Sequence, residues 1–218
     1  MKQDSYRLHA RIYDRLYEPA AKILRKRALK IFPPQENISI LDVGCGTGTQ
    51  LAMYQRASCR LVGVDLSPAM LAIAQRKLGE TAELLLEDAS HMSFASGIFD
   101  LVTLVLTLHE MPAQLRSAVL QECKRVVKDD GRILLMDYHI GPYPFPMGRV
   151  WKLVITGMEM SAGREHYANY RNFIARQGLG PLIAEQHLSV NRRFVSEHGV
   201  AAIFLLNPPP VHSGYEDV

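Results

Sequence analysis

Three glycines at alternate positions follow an apolar segment, and their spacing is the first sign of chemistry in this chain. The stretch ILDVGCGTG (40–48) places Gly44, Gly46 and Gly48 where a strand gives way to a helix. A glycine-rich turn at such a point lets backbone N–H groups approach a nucleotide closely. The third glycine comes one residue too early for the GxGxxG dinucleotide loop, and no Gly-Lys-Ser/Thr follows as in a Walker loop. The loop therefore predicts a nucleotide ligand without deciding which one.

Carboxylates follow the next two predicted strands. Asp65 stands 21 residues after Gly44, where a carboxylate can accept hydrogen bonds from both hydroxyls of a ribose. Asp88 follows the third predicted strand, where it can either accept from an adenine amino group or cap the next turn. Because parallel strands end at one edge of a sheet, we expect the loop and both carboxylates to share one crevice.

Strand-like and helix-like segments alternate through the middle of the chain, which predicts βαβ units and a parallel sheet covered on both faces. The predicted strands are residues 38–43, 60–65, 83–87, 99–106 and 132–138, with helices over 48–56, 68–79 and 112–127. The triplet Asp129-Asp130-Gly131 predicts a turn into the fifth strand. Two further strands around a turn at 196–199 predict a terminal hairpin.

A helix over residues 5–31, kinked near Pro19, is predicted before the first strand. Its apolar positions, at roughly helical spacing, include Ile23, Leu24 and Ala28. Its second half, 22–30, is basic, which favours a solvated face over an RNA or membrane-surface patch. We predict a single domain over 1–218. Its parts are a helical cap (1–34), a cofactor-binding core (35–140), a lid insert (141–185), a hairpin (186–206) and a tail (207–218).

Composition narrows the class of protein. A length of 218 residues suits one domain with a substantial core, and the net charge of +3 neither requires nor excludes a polyanionic partner. Three widely spaced cysteines without a CxxC argue against a disulfide framework or a zinc site. The charged N-terminus does not resemble a signal peptide, and no apolar run reaches the roughly 20 residues of a membrane span. These features predict a soluble, cytoplasmic protein.

Five segments resemble, in order, the successive motifs of class I S-adenosylmethionine-dependent methyltransferases. They are ILDVGCGTG (40–48), VGVDLSPAML (62–71), DASHMSF (88–94), FDLVTLVLTLHEM (99–111) and ECKRVVKDDGRILLMDY (122–138). The chain is most similar in style to the ubiquinone/menaquinone-biosynthesis methyltransferase group. One such motif is a weak signal, whereas five at compatible spacing are specific. A departure is Asp129-Asp130-Gly131, where the family commonly has Pro-Gly-Gly.

The resemblance implies an α/β fold: a doubly wound, Rossmann-like, mostly parallel seven-stranded sheet with an antiparallel last strand. It also implies N-terminal helices, a lid insert after the fifth strand, S-adenosyl-L-methionine as methyl donor, S-adenosyl-L-homocysteine as product, and no metal. The cofactor-binding residues that it implies are Tyr13, Asp42, Gly44, Cys45, Gly46, Gly48, Asp65, Leu66, Met70, Asp88, Ala89 and Leu106. Ordinary roles stay open for Asp42 as a helix cap and for Met70 as core packing.

The acceptor side is less defined. A sulfonium already carries an activated methyl group, so alignment and exclusion of water supply most of the catalysis. A base is needed only if the acceptor must lose a proton, and His109 is the candidate, with a cap or packing role as the alternative. The family implies a substrate pocket covered by the N-terminal helix, with Tyr6, and by the lid insert, with Tyr143, Trp151 and Tyr167. His139, after the fifth strand, faces the same region and is a second candidate base. This apolar, aromatic lid predicts a small, partly hydrophobic acceptor.

Three other functions stay open at this point. The basic segment 22–30 raises an RNA or protein methyltransferase, although the net charge gives no strong nucleic-acid signal. A nicotinamide-dependent oxidoreductase is disfavoured by the early third glycine. The last alternative is a cofactor binder without turnover.

Overall fold

The computed structural model describes residues 18–55 and 58–208, through which one seven-stranded sheet runs. The strands are β1 Ser39–Val43, β2 Arg60–Asp65, β3 Ala82–Leu86, β4 Phe99–Val105, β5 Val127–Tyr138, β6 Ser189–Val195 and β7 Ala201–Asn207. The helices are α1 Glu18–Ile31, α2 Thr49–Ala52, α3 Pro68–Leu78, α4 Ala113–Val126, α5 Met147–Ser161, α6 Arg164–Ala175 and α7 Leu179–Glu185. Short 3₁₀ turns lie at Gly79–Thr81 and Leu108–Glu110.

The strands lie in the order β3-β2-β1-β4-β5-β7-β6. The first five strands are mutually parallel, and β7 is antiparallel to both β5 and β6. This arrangement confirms the predicted doubly wound sheet with an antiparallel last strand. The direction of winding reverses between β1 and β4, and open sheets of this kind bind ligands at such a switch point.

Apolar side chains cover both faces of the sheet. Ile40 belongs to one buried cluster, whereas its neighbour Leu41 belongs to the cluster on the opposite face. The six residues 201–206 of β7 are all buried, as expected for a strand packed on both sides. The most exposed strand is edge strand β6, whose first five residues face solvent. In residues 18–55 and 58–208, no helix is long and apolar enough to cross a membrane.

Two predicted elements differ in length from the observed ones. The fifth strand begins at Val127, and residues 128–131 bulge out of it, because Phe99 pairs with Val127 while Leu101 pairs with Arg132. The helix predicted over 48–56 ends at Ala52, because the following bonds tighten to three-residue spacing, as in Tyr54 N–H to Leu51 O.

One face of helix α1 is buried, although the basic segment 22–30 favoured a solvated face. Residues 1–17 of the predicted 5–31 helix lie outside the described part of the chain. Ile23, at the predicted apolar spacing, is 76% exposed, so this part of the prediction is wrong. Arg25, from the basic segment, is instead 7% exposed and shares its helix face with Ala21 and Ala28. The small alanine side chains let α1 pack closely on the sheet.

Gly48 is the residue through which the glycine loop packs on α3. Its φ is +73°, and an added Cβ would lie 2.7 Å from Leu78 Cδ1 and 3.1 Å from Ala74 Cβ. We expect Gly48→Ala to lower the free energy of unfolding by about 1–2 kcal/mol for the left-handed backbone. Overpacking adds about 1–3 kcal/mol. Chemical denaturation of the full chain measures the sum.

Gly97→Ala is the matched control for Gly48→Ala. Gly97 has φ +68°, yet an added Cβ would meet nothing within 4 Å. In this variant the free energy of unfolding should fall only by the cost of the left-handed backbone, about 1–2 kcal/mol. Equal losses in the two variants would contradict the assigned packing of the loop on α3.

Candidate functional site

A cavity of about 240 Å³ opens at the carboxyl ends of β1, β2 and β4, beside the switch point. Most of the residues that line it come from five segments: the glycine loop 44–47, residues 64–66 at the end of β2, residues 87 and 89 after β3, residues 105–107 at the end of β4, and residues 110–112 just before α4. The other lining residues are Arg25, Asp42, Thr49, Met70 and Leu115. Separate parts of the sequence therefore meet at the predicted crevice.

The glycine loop forms one wall of this cavity. Gly44 has φ +68°, and an added Cβ would collide with the side chain of Thr107. The missing Cβ at Gly44 thus allows the loops after β1 and β4 to cross closely. Gly46, with φ +53°, has no atom of residues 18–55 and 58–208 within 4 Å of the position of an added Cβ. The backbone at Gly46 is therefore open for a ligand to pass close to it.

Asp65 stands at the rim of the cavity, at the end of β2. Its Oδ2 accepts the Gly46 N–H at 2.8 Å, and its Oδ1 accepts the Ser67 N–H at 2.8 Å. These bonds fix the carboxylate between the glycine loop and the start of α3. Each carboxylate oxygen has capacity for a further donor, so the group can also accept from ligand hydroxyls.

Asp42 lies buried beneath the same loop, with 2% of its surface exposed. Thr103 Oγ1 donates to Asp42 Oδ1 at 2.6 Å. Burial raises the pKa of Asp42 to about 6, while the Thr103 bond and the positive charge of Arg25 act in the opposite direction. Asp42 and Arg25 both line the cavity. The wall of the cavity therefore carries both a carboxylate and a guanidinium.

Sequence reasoning missed Arg25, which it assigned to a solvated basic face. Arg25 Nη1 donates to Gln50 Oε1 at 3.4 Å, so the side chain points toward the glycine loop. The available signal was the spacing of Ala21, Arg25 and Ala28, which places the arginine on the face occupied by small apolar residues.

Five of the other predicted cofactor residues line the cavity: Cys45, Leu66, Met70, Ala89 and Leu106. Burial raises the pKa of the Cys45 thiol well above its usual range, so this residue is not an activated nucleophile. Leu106 has φ +57°, a left-handed conformation rare for leucine, directly at the cavity wall. Gly48 is outside the lining and packs on α3, and Tyr13 lies outside the described residues.

Asp88 is arranged as a turn cap. Its Oδ1 accepts the Ser90 N–H at 2.9 Å and the Ser90 hydroxyl at 2.7 Å. These bonds hold the pKa of Asp88 below its usual value. Glu87 and Ala89 line the cavity on either side, but Asp88 is not part of the lining. The contact of Asp88 with adenine stays a prediction.

The predicted substrate-facing residues lie outside the cavity lining. The Tyr143 hydroxyl donates to His139 O at 2.9 Å, and the Gly141 N–H donates to His139 Nδ1 at 3.2 Å. Trp151 stacks on His198, and Tyr167 stacks on Tyr170. Tyr6 lies outside the described residues. The acceptor-facing role of these residues stays a prediction.

A polar cluster lies under the lid, with His109 at its centre. Its members are His109, Asp137, Tyr138, Glu159 and His166. Asp137 Oδ1 lies 2.8 Å from His109 Nδ1, and Asp137 Oδ2 accepts the His109 backbone N–H at 3.1 Å. Glu159 Oε1 accepts the Tyr138 hydroxyl at 2.7 Å, and Glu159 Oε2 lies 2.6 Å from His166 Nε2. His109, Asp137 and Glu159 are each at most 3% exposed. The cluster ties α5 and α6 to the ends of β4 and β5.

Electrostatics disfavour His109 as a base for an acceptor in the cavity. Burial alone lowers the pKa of this imidazole, but Asp137, Glu159 and Glu110 together raise the pKa to about 9. The ring of His109 is also absent from the cavity lining. A hydrogen-bonded role between Asp137 and the lid therefore fits this residue better than proton abstraction.

Glu159 and Arg116 were not predicted from the sequence as buried charged residues, although the sequence pattern around each indicates burial. Glu159 is the single acidic residue in the largely apolar helix α5, and it is 3% exposed. Arg116 lies on the buried stripe of α4, at helical spacing from Val119, Leu120 and Cys123. A lone charge on an apolar stripe indicates a buried partner.

Arg116 joins the turn after β4 to the lid. Its Nε donates to Leu108 O at 2.9 Å, its Nη2 to Asn169 O at 2.8 Å, and its Nη1 to Asn172 Oδ1 at 3.0 Å. The guanidinium also lies 5.1 Å from the centre of the Phe173 ring. The buried Arg116 side chain thus links helix α6 to the Leu108–Glu110 turn.

Known proteins resemble this chain in both sequence and fold. Residues 41–135 match the family model of the methyltransferase domain. The chain is 36% identical over 120 residues to a demethylmenaquinone methyltransferase of Lactococcus lactis, which covers 52% of this chain and 47% of the relative. It is 32% identical over 152 residues to the nocamycin O-methyltransferase of Saccharothrix syringae, covering 66% of this chain and 52% of that relative. The chain spans about half the length of these curated relatives.

The fold of the chain is similar to that of a solved structure. The chain matches the crystal structure of a SAM-dependent methyltransferase from Aquifex aeolicus with a TM-score of 0.61 at 17% identity, covering 85% of this chain and 89% of that one. Over residues 41–135 the chain therefore resembles a methyltransferase domain. The fold is that of the class I S-adenosylmethionine-dependent methyltransferases, which confirms the resemblance identified from the motifs.

Replacing Arg116 by methionine tests its role as a link between α4 and α6. Arg116→Met retains an unbranched apolar side chain but removes three hydrogen bonds, leaving Leu108 O and Asn169 O without this donor. We expect a loss of about 2–4 kcal/mol in unfolding free energy, because hydrogen bonds to charged groups contribute about 1.5–3 kcal/mol each and the losses are not additive. The exposed Arg176→Met is the matched control and should change stability by less than about 0.5 kcal/mol. A similar effect of both substitutions would contradict the assigned link.

Proposed function

We propose that the protein transfers the methyl group of S-adenosylmethionine to a small, partly hydrophobic molecule and releases S-adenosylhomocysteine. The observation that carries the proposal is the cavity at the β1–β4 switch point. Asp42 is buried beneath the glycine loop, Asp65 stands at the rim, and the Gly46 backbone between them is open to a ligand. An adenosyl group with an amino-acid tail matches these features chemically.

The residues of the cavity divide between the two ends of such a ligand. The Asp65 carboxylate, fixed by the Gly46 and Ser67 N–H groups, is suited to the ribose hydroxyls. Asp42 and Arg25 carry opposite charges, which suit the ammonium and the carboxylate of the methionine tail, respectively. Leu66 and Met70 supply apolar surface for the nucleoside.

In this reaction the protein mainly aligns the reactants and supplies an apolar surface that keeps water away from them. When bound, the sulfonium supplies an activated methyl group that a nucleophile displaces in line. Leu106, Met111 and Leu115 form an apolar part of the wall beyond β4, which excludes water from the reacting atoms. Glu110 is the charged side chain on that side of the cavity and is suited to orient a polar group of the acceptor.

A small-molecule acceptor is supported by the named relatives, a demethylmenaquinone methyltransferase and a nocamycin O-methyltransferase. A cytoplasmic location is part of the proposal and is supported by three free cysteines.

Calorimetry with two cofactors tests the class of reaction. The full chain should bind S-adenosylmethionine and S-adenosylhomocysteine but not NAD. Release of S-adenosylhomocysteine with a panel of small apolar acceptors then tests turnover. Tight binding of NAD without binding of S-adenosylmethionine would contradict the proposal in favour of an oxidoreductase.

Asp65→Asn should weaken the binding of S-adenosylmethionine. A hydrogen bond to a charged group contributes about 1.5–3 kcal/mol, so the dissociation constant should rise about 10- to 150-fold. The control is Asp129→Asn, at an exposed position in the bulge of β5. This substitution should leave the dissociation constant unchanged. An unaltered affinity in Asp65→Asn, measured by calorimetry, means that Asp65 does not hold the ribose.

Cofactor affinity should also depend on pH through Asp42. In the free protein its pKa is about 6, and a bound ammonium group favours the ionised form. Affinity should therefore be full above about pH 7 and fall as the pH decreases through 6, by about tenfold at pH 5.

Two variants isolate this effect. Asp42→Asn should weaken binding at neutral pH and remove its dependence on pH between 5 and 7. Thr103→Val removes the hydrogen bond that lowers the pKa of Asp42, so the pH midpoint of binding should rise. The same pH profile in all three proteins would contradict a role for Asp42 at the ammonium group.

A further inference from the structure

Two histidines and a glutamate converge under the lid, although His109 precedes Glu159 by 50 residues in the sequence. One ligand atom each from His109, Glu159 and His166 lies within 4.8 Å of the others. These residues come from the turn after β4, the end of α5 and the first turn of α6. We propose that His109 Nε2, Glu159 Oε2 and His166 Nε2 bind one divalent transition-metal ion, such as Zn²⁺, between the lid and the sheet.

The spacing of the donor atoms is close to that of a metal site. Glu159 Oε2 lies 3.7 Å from His109 Nε2 and 2.6 Å from His166 Nε2. Tetrahedral Zn²⁺ has ligand distances of about 2.0–2.2 Å, which sets neighbouring donor atoms about 3.3 Å apart. The ion would take the place of the proton shared by Glu159 and His166, and these two ligand atoms would separate by about 0.7 Å.

Second partners orient the proposed ligands. Asp137 Oδ1 accepts from His109 Nδ1 at 2.8 Å, which directs the other ring nitrogen of His109 toward Glu159. The Tyr138 hydroxyl donates to Glu159 Oε1 at 2.7 Å, leaving Oε2 to face the histidines. Carboxylates behind a ligating imidazole and hydrogen bonds to a ligating carboxylate are typical of metal sites.

Burial and charge favour a cation at this place. Asp137 and Glu159 are 1% and 3% exposed, and two carboxylates at such depth require positive charge nearby. Arg116, whose charge interacts with that of Asp137, directs its hydrogen bonds to Leu108 O, Asn169 O and Asn172. The ion pairs of these carboxylates are with His109 and His166.

The ligand set selects the class of metal. Imidazole and carboxylate together suit Zn²⁺, Co²⁺, Ni²⁺ or Fe²⁺ rather than Mg²⁺ or Ca²⁺, which prefer oxygen ligands alone. Three protein ligands leave a fourth position open. Glu110 Oε1 lies 3.8 Å from His109 Nε2 and also lines the cavity. The proposed metal site and the cavity thus share a wall, so a bound ion would hold the lid in place beside the acceptor.

Calorimetry with ZnCl₂ on the chelator-treated full chain tests the site without reference to methyl transfer. We expect one Zn²⁺ per chain. Glu159→Gln and His166→Gln should each weaken binding at least tenfold, and Asp137→Asn about 10- to 100-fold. The exposed His91→Gln, outside the cluster, is the control and should bind Zn²⁺ normally. The absence of saturable binding, or equal affinity in the ligand variants, overturns the proposal in favour of a hydrogen-bonded ion network.

X-ray absorption of the Zn²⁺-loaded, unsubstituted chain provides a test that does not depend on variants folding. The expected first shell contains two imidazole nitrogens and at least one carboxylate oxygen, with outer-shell scattering from both rings. A shell with fewer than two imidazoles overturns the proposal. Circular dichroism of the metal-free variants separates loss of ligands from loss of the fold.

Discussion

The close crossing of the loops after β1 and β4 is the constraint on which the site depends. At Gly44 the absence of a Cβ makes room for the Thr107 side chain, whose hydroxyl donates to Gly44 O at 3.4 Å and to Val105 O at 3.2 Å. The two strands that flank the switch point are thereby joined at their carboxyl ends. A side chain at Gly44 would force these loops apart and change the shape of the cavity between them.

The rest of the cavity is arranged around this crossing. Asp65 is held by the Gly46 N–H, so the loop and the end of β2 adjust to one another. Asp42 is buried directly below, where Thr103 of the neighbouring strand supplies its hydrogen bond. Burial of such a carboxylate is unfavourable unless a cation or a donor is close. Arg25 of α1 reaches the same place, which explains why a basic residue lies on the packed face of that helix.

The helices of the lid are joined to the rest of the fold in a different way. There, buried charged groups rather than glycines connect the elements. Arg116 ties α4 to α6, while Glu159 brings α5 toward His109 and His166. Since breaking one partner of a buried polar network leaves the others unsatisfied, the lid is specified by its charges as much as by apolar contact. The predicted aromatic residues of the lid, Tyr143 and Trp151, pack against neighbours instead of lining the cavity.

The sequence by itself determined the sheet and the position of the crevice at its edge. Strands and helices follow local periodicity, and the residues Gly44, Gly46 and Asp65 sit next to the strand ends that position them, so their meeting in the crevice depends on short-range spacing. Only the tertiary structure decided that Arg25 is buried, that Glu87 and not Asp88 lines the cavity, and that Glu159 and His166 meet His109. The physical reason is that burial and charge pairing are set by contacts between residues tens of positions apart, which periodicity along the chain does not encode.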